Sequence, residues 1–99
     1  MAADDIRSRL EQDNAGLFRA FVRDGRIAGW PRQWTRKRVL LDWVAQDFEP
    51  GLTYDEPTVN TMLSAYADDH VTLRRYLVDA GLLERAKGWY WRAGGSFDV

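Results

Sequence analysis

The run DHVTLRRYLVDAGLLERAKGWYW, from Asp69 to Trp91, constrains the fold more than any other part of this chain. Asp68 or Asp69 supplies an N-cap, and the helix that follows carries Leu73, Leu77 and Ala80 on one face. Gly81 then stands where a helix closes in the left-handed conformation. Two runs of strand formers come next, Leu82 to Ala86 and Trp89 to Arg92. Lys87-Gly88 between them has the chemistry of a two-residue hairpin turn. A helix, a glycine stop and a hairpin folded back on it is the order a winged-helix DNA reader requires.

Upstream segments fit the same plan. Thr35 to Asp47 reads as a helix with Leu40, Trp43, Val44 and Phe48 on its stripe, closed by Pro50-Gly51. Leu52-Thr53-Tyr54 is short and extended, placed to join the hairpin as a third strand. Asp55 caps a further helix, with Pro57 in its first turn and Val59, Met62, Leu63 and Tyr66 on its apolar face. Asp5 to Asp24 is helical in pattern, with Ile6, Leu10, Leu17, Phe21 and Val22 able to share a stripe. Asp13-Asn14-Ala15-Gly16 weakens it, and Asn14 is an alternative N-cap for a shorter helix from Ala15 to Arg23. Arg26 to Trp30 is a candidate strand stopped by Pro31.

The expected fold class is α+β: a winged helix-turn-helix with an extra N-terminal helix and a C-terminal β-hairpin wing. Residues 1–26 form the extension, 27–92 the winged-helix domain and 93–99 a flexible, Gly-rich tail. Leu40, Trp43, Val59, Leu63, Leu73, Leu77 and Leu83 are expected to be buried together, and Trp89 and Trp91 to share the core face of the hairpin.

At 99 residues the chain has room for one domain and a core that needs no covalent staple. The absence of cysteine excludes disulfides and thiolate metal sites. His70 is the only histidine, no carboxylate pair has ligand spacing, and no Gly-rich phosphate loop is present. Asp68, Asp69, His70 and Thr72 could be drawn as a catalytic cluster, but helix capping accounts for the aspartates with less. No enzyme activity, metal or cofactor is expected. No apolar run is long enough to span a membrane, and MAADDIRSRLEQD lacks the apolar stretch of a signal peptide. The expected location is the cytoplasm.

The net charge of −1 conceals a block pattern. Residues 32–38 hold four cations and no acid, residues 39–69 seven acids and no cation, and residues 70–97 five cations and two acids. Segregated charge can make a basic face on a nearly neutral protein. The candidate DNA-binding residues are Arg36, Lys37, Thr72, Arg74, Arg75, Arg85 and Lys87. Arg74 and Arg75 lie on the expected recognition helix, where a free arginine can meet guanine bidentately or grip a phosphate. The plainer role is a helix-to-helix pairing with Asp68, Glu56 or Asp42. Arg85, Lys87 and Arg92 fall on the hairpin, where cations contact phosphate or merely blunt a strand edge. Arg36, Lys37 and Arg38 open a helix, where positive charge opposes the dipole, although a solvated charge run is the commoner explanation. Trp30 and Trp34 flank Pro31 and are the candidate protein-interface residues.

The segments R-K-R-V-L-L at 36–41, F-E-P-G at 48–51, Y-D-E-P-T-V-N at 54–60, D-x-x-T-L-R-R-Y-L-V-D at 69–79, G-L-L-E-R at 81–85 and G-W-Y-W at 88–91 carry a resemblance. Over about residues 27–92 the chain resembles the prokaryotic domain of unknown function family 2087. Thr58 departs from that pattern, in which Glu is usual, and this removes a capping-box carboxylate. The resemblance implies a prokaryotic, cytoplasmic, regulator-like protein and carries no established activity.

Two functions remain open at this point. One is a transcription-regulator-like domain that binds double-stranded DNA. The other is a protein–protein interaction or dimerisation module that has lost DNA binding and docks through its N-terminal helix or Trp30 and Trp34. A single continuous basic face would favour the first, and cations scattered in pairs with the acids the second.

Overall fold

In a computed structural model, which describes residues 2–97, the chain runs α1 (Ala2–Asp13), α2 (Ala15–Phe21), β1 (Val22–Arg23), β2 (Arg26–Ile27), α3 (Trp34–Ala45), β3 (Thr53–Asp55), α4 (Glu56–Ser64), α5 (His70–Asp79), β4 (Leu83–Ala86) and β5 (Trp89–Arg92). The described residues therefore form a mixed α+β fold of five helices with two small antiparallel sheets. One sheet is the β1–β2 ribbon, which turns at Asp24-Gly25; the other has the order β3-β5-β4. The extended piece at 53–55 does join the hairpin, with Tyr54 opposite Tyr90.

Local chemistry sets the ends of these elements. Asp55 caps α4 by accepting from the Thr58 N–H at 3.0 Å, so the cap survives without a glutamate at 58. Asp69 caps α5 by accepting from the Thr72 N–H at 3.0 Å. The hairpin turns through Lys87 at φ 54° and Gly88 at φ 82°, the left-handed pair that a two-residue turn between twisted strands demands.

The expected core is present. Leu40, Trp43, Val59, Leu63, Leu73, Leu77 and Leu83 are buried in one cluster, joined by Leu41, Val44, Phe48, Leu82 and Tyr90. Every residue from Leu40 to Gln46 is buried, so α3 is surrounded rather than amphipathic over its second half.

The hairpin presents the face opposite to the one expected. Trp89 is 50% exposed, whereas Tyr90 is fully buried and Arg92 only 7% exposed. The turn pairs Leu83 with Arg92 and Arg85 with Tyr90. Once Leu83 points inward, the period of two sends Tyr90 and Arg92 inward and the tryptophans out. Large apolar area alone was the wrong guide.

Residues 2–21 form two helices, with the break at Asn14. Val22-Arg23 is strand rather than helix, and the second strand is Arg26–Ile27 rather than 26–30. The N-terminal segment is bound into the body. Trp43 donates to Glu11 at 3.0 Å. Arg7 donates to the Trp43 carbonyl at 3.1 Å, to Asp47 at 3.1 Å and to the Tyr66 hydroxyl at 2.7 Å. Tyr66 in turn donates to Asp47 at 2.6 Å. Burial, reinforced by that bond to Asp47, pushes the Tyr66 phenol up to about 12.

Two outcomes are expected. Leu77→Ala should lower unfolding free energy by about 2–5 kcal/mol, the cost of a cavity in a closed core, measured by urea denaturation. Tyr66 should ionise in an absorbance titration near 12 rather than at the ordinary value of 10.0. Because the folded state holds the proton more tightly, its contribution to stability is complete below 10.0 and disappears as pH rises through about 12.

Candidate nucleic-acid interface

Helix α5 and the β4–β5 hairpin enclose a groove of about 220 Å³ lined by Val71, Arg74, Arg75, Val78, Asp79, Arg85 and Tyr90. On α5, Val71, Arg75 and Asp79 follow one another at helical spacing and are all exposed. Arg75 lies with its guanidinium 5.8 Å from the centre of the Tyr76 ring. Arg74 is half-buried and donates to the Asn60 side-chain oxygen, with its guanidinium 6.0 Å from the centre of the Tyr90 ring. Its partner is thus a neutral amide on α4 rather than any of the acids considered from the sequence. Thr72 is half-buried and donates its hydroxyl to Asp69 at 2.7 Å. That bond, followed by the bond from the Thr72 N–H, holds the Asp69 carboxyl below the usual carboxylate range.

On the hairpin, Arg85 stands opposite Tyr90 and donates to its hydroxyl at 3.4 Å, a long contact. The Tyr90 hydroxyl donates to Glu56 at 2.9 Å. Lys87 is exposed at the turn. Arg92, the third hairpin cation, leaves the candidate interface altogether. It donates from Nη1 to the Ala45 and Phe48 carbonyls at 3.0 and 3.2 Å and from Nη2 to the Ser96 carbonyl at 2.7 Å. Burial pulls its guanidinium down and the nearby Asp42 carboxylate pushes it back up.

The same network organises the tail. Ser96 donates from its N–H and its hydroxyl to Asp42 at 2.9 and 2.7 Å, and Gln46 donates to the Ser96 carbonyl at 2.9 Å. Residues 93–97 are therefore held against α3 rather than free, because Asp42 and Arg92 require partners where they are buried. The last two residues of the expected flexible tail lie outside the described residues.

At the start of α3, Arg36 is exposed, and Arg38 donates to the Ala80 carbonyl at the end of α5. Lys37 places Nζ 4.6 Å from the Tyr76 ring centre and 5.3 Å from that of Trp34. Trp30 and Trp34 meet Tyr76 edge to face, with centroids 5.3 and 6.0 Å away. Trp30 is half-buried, and Trp34 keeps 42% of its surface exposed. Tyr76 is the residue that sequence reasoning missed. It joins the cations of α3 to those of α5, and its spacing from Leu73 and Leu77 gave no sign of this.

The acids of residues 39–69 are largely engaged elsewhere. Asp42 binds the tail, Asp47 binds Arg7 and Tyr66, and Asp55 and Asp69 cap helices. Asp68 pairs with Arg26 at 2.5 Å. Glu56 reaches the groove through Tyr90, Asp69 acts on Arg75 from the start of α5, and Glu49 is exposed. Among the described residues, two ion pairs form, Arg7–Asp47 and Arg26–Asp68, and neither includes a groove arginine.

Residues 26–92 match the model of a family described as an uncharacterized protein conserved in bacteria, DUF2087. The chain belongs to this family. Neither a curated protein nor a solved structure matches it. The DUF2087 segment begins at β2 and ends at the last residue of β5, so it contains the groove and leaves α1 and α2 outside. Among the described residues no group of three or more His, Asp or Glu is placed to hold a metal ion. No described helix is long and apolar enough to cross a membrane.

Arg92→Ala should destabilise the DUF2087 segment by about 1–3 kcal/mol, the cost of leaving the Phe48 carbonyl without its donor, since the Ala45 and Ser96 carbonyls keep the Phe48 N–H and the Gln46 amide. Arg85→Ala should change stability by less than about 0.5 kcal/mol, since an exposed substitution away from packing does little. Paired urea titrations compare the two, and equal losses would place Arg92 at the surface.

Proposed function

We propose that this chain is a winged-helix, transcription-regulator-like domain that binds double-stranded DNA without catalytic activity, in the bacterial cytoplasm. The observation that carries the reading is the continuity of its cations. Lys37 and Arg75 approach one ring, Tyr76, and Arg75 shares a groove with Arg74 and Arg85. Lys87 is exposed at the turn of the same hairpin, and Arg36 is exposed and precedes Lys37 on α3. Of the acids of residues 39–69, Asp47 and Asp68 are paired with Arg7 and Arg26 and Asp42 acts on buried Arg92, whereas Asp69 keeps its charge at the start of α5 and opposes the field there.

In this reading α5 enters the major groove. Arg75 reaches a guanine edge or a phosphate, and exposed Val71 can meet a thymine methyl group. Arg85, Lys87 and Arg36 lie along phosphates and position the domain without reading sequence. Asp79 sits at the end of the same α5 stripe, so the N-terminal half of the helix goes deepest, as is usual for a recognition helix. Arg74 and Thr72 support the face from behind, through Asn60 and Asp69.

Exposed Trp34 favours a second reading, a module that docks on a partner protein or a second copy. In that reading the basic face would be incidental, and duplex DNA would not be bound.

Titration with mixed duplex DNA separates the two. About four phosphate contacts predict a slope of log K against log salt near −3.6. The double variant Arg85→Ala, Lys87→Ala should flatten that slope by about two units and weaken all sequences alike. Arg75→Ala should instead relax preference at one base pair. No binding at about 20–50 mM salt, where nonspecific contacts are strongest, would leave the docking module as the better account.

A further inference from the structure

We propose that the groove between α5 and the hairpin is also a site for a small phosphate monoester with a short apolar or aromatic body, and that this ligand competes with DNA. The site stands on its own geometry; the competition rests on the DNA reading above. Three guanidinium groups, of Arg74, Arg75 and Arg85, line one concavity. Two of them flank the same residue. Arg85 contacts the Tyr90 hydroxyl, and Arg74 lies beside the Tyr90 ring. The carboxylates around them are Asp79 at the rim, Glu56 behind Tyr90, whose charge acts on Arg85, and Asp69, whose charge acts on Arg75; none pairs with a groove arginine within 4.0 Å.

The three guanidinium groups repel one another, and the surrounding carboxylates offset this through space without bonding to any of them. Arg74 is held by a neutral amide, which orients the guanidinium without neutralising it. Arg85 has the long contact to a phenol, with the Glu56 carboxylate acting on it through space, and a phosphate oxygen would replace the phenol with a shorter, charge-assisted bond. A phosphate monoester carries about −1.5 to −2 charges near neutral pH, a better match to converging arginines than a single carboxylate. Asp79 repels it from the rim, so the phosphate seats between Arg74 and Arg85 over Tyr90. Val71 and Val78 then offer an apolar wall to the organic part. The volume of about 220 Å³ is below the roughly 300–1,000 Å³ of pockets for drug-sized ligands, which limits the body to about one ring.

The test uses the full chain and phenyl phosphate as the probe, followed by NMR. Inorganic phosphate, benzoate and sodium chloride at matched ionic strength are run alongside. Saturable shifts should centre on Val71, Val78, Arg74, Arg85 and Tyr90, with a Kd below about 1 mM and at least about tenfold tighter than inorganic phosphate. Arg85→Gln should weaken the probe about tenfold, and Arg75→Gln serves if that variant does not fold. Arg19→Gln, on exposed α2 surface, should leave the affinity unchanged. Shifts that follow sodium chloride, benzoate binding as tight as phenyl phosphate, or full affinity in both groove variants would overturn the site. Saturating phenyl phosphate should displace a bound duplex, and a duplex that stays bound would overturn the competition. If phenyl phosphate binds and DNA does not, the DNA reading fails while the site stands. If DNA binds and phenyl phosphate does not, the site fails while the DNA reading stands.

Discussion

The guanidinium of Arg92 sits where the hairpin, the end of α3 and the tail meet. A cation there is favoured by the partial negative charge of the carbonyls at the C-terminal end of α3: Ala45, which also accepts from the Phe48 N–H at 3.0 Å, and Phe48 just beyond it. Asp42, one turn back on α3, supplies the opposing charge. The remaining acceptors are drawn in from the tail, at Gly94 and Ser96. Gly95 approaches Asp42 so closely that an added Cβ would lie 2.7 Å from its carboxylate oxygen, and its φ of +94° suits glycine. A buried cation must have all its donors met, so hairpin, helix and tail are fixed together.

That fixed point determines the groove. With Arg92 inward, the two-residue turn leaves one register, and Tyr90 is driven beneath α5 with Arg85 opposite it. Tyr90 finds an acceptor in Glu56, at the first turn of α4, so the hydroxyl is satisfied where its ring is buried. Arg85 is thereby aimed at α5. The tryptophans, displaced to the outer face, leave Trp89 exposed, and Trp91 donates to Glu84 at 3.3 Å.

Charge is sorted by the same folding. The acidic middle of the chain supplies two helix caps, the tail clasp and the acids of the two ion pairs, so five of its seven carboxylates, all but Glu49 and Glu56, have partners away from the groove arginines. The basic blocks on either side are left with neutral partners: a carbonyl for Arg38, an amide for Arg74, a phenol for Arg85 and aromatic faces for Lys37 and Arg75. A net charge of −1 is therefore a poor description of what approaches α5. A polyanion responds to the field within about 10 Å, not to the total.

Local chemistry was legible in the residues themselves. Asp55 and Asp69 announced two caps, Gly81 a helix end and Lys87-Gly88 a hairpin, because each acts over a few residues of backbone. The helical stripes named the core for the same reason, since periodicity is a property of the chain. Which face of the hairpin turned inward was not legible, because WYWR offers aromatic residues to both sides and the decision rests on Leu83 across the turn. Nor was the fate of its cations. Arg85 and Arg92 look alike in sequence, yet one lines a groove and the other is buried, because only assembly brings Ala45, Phe48 and Ser96 to Arg92. Tyr76, which joins α3 to α5, and Asn60, which holds Arg74, acquired their parts in the same way, through contacts between elements that no local pattern encodes.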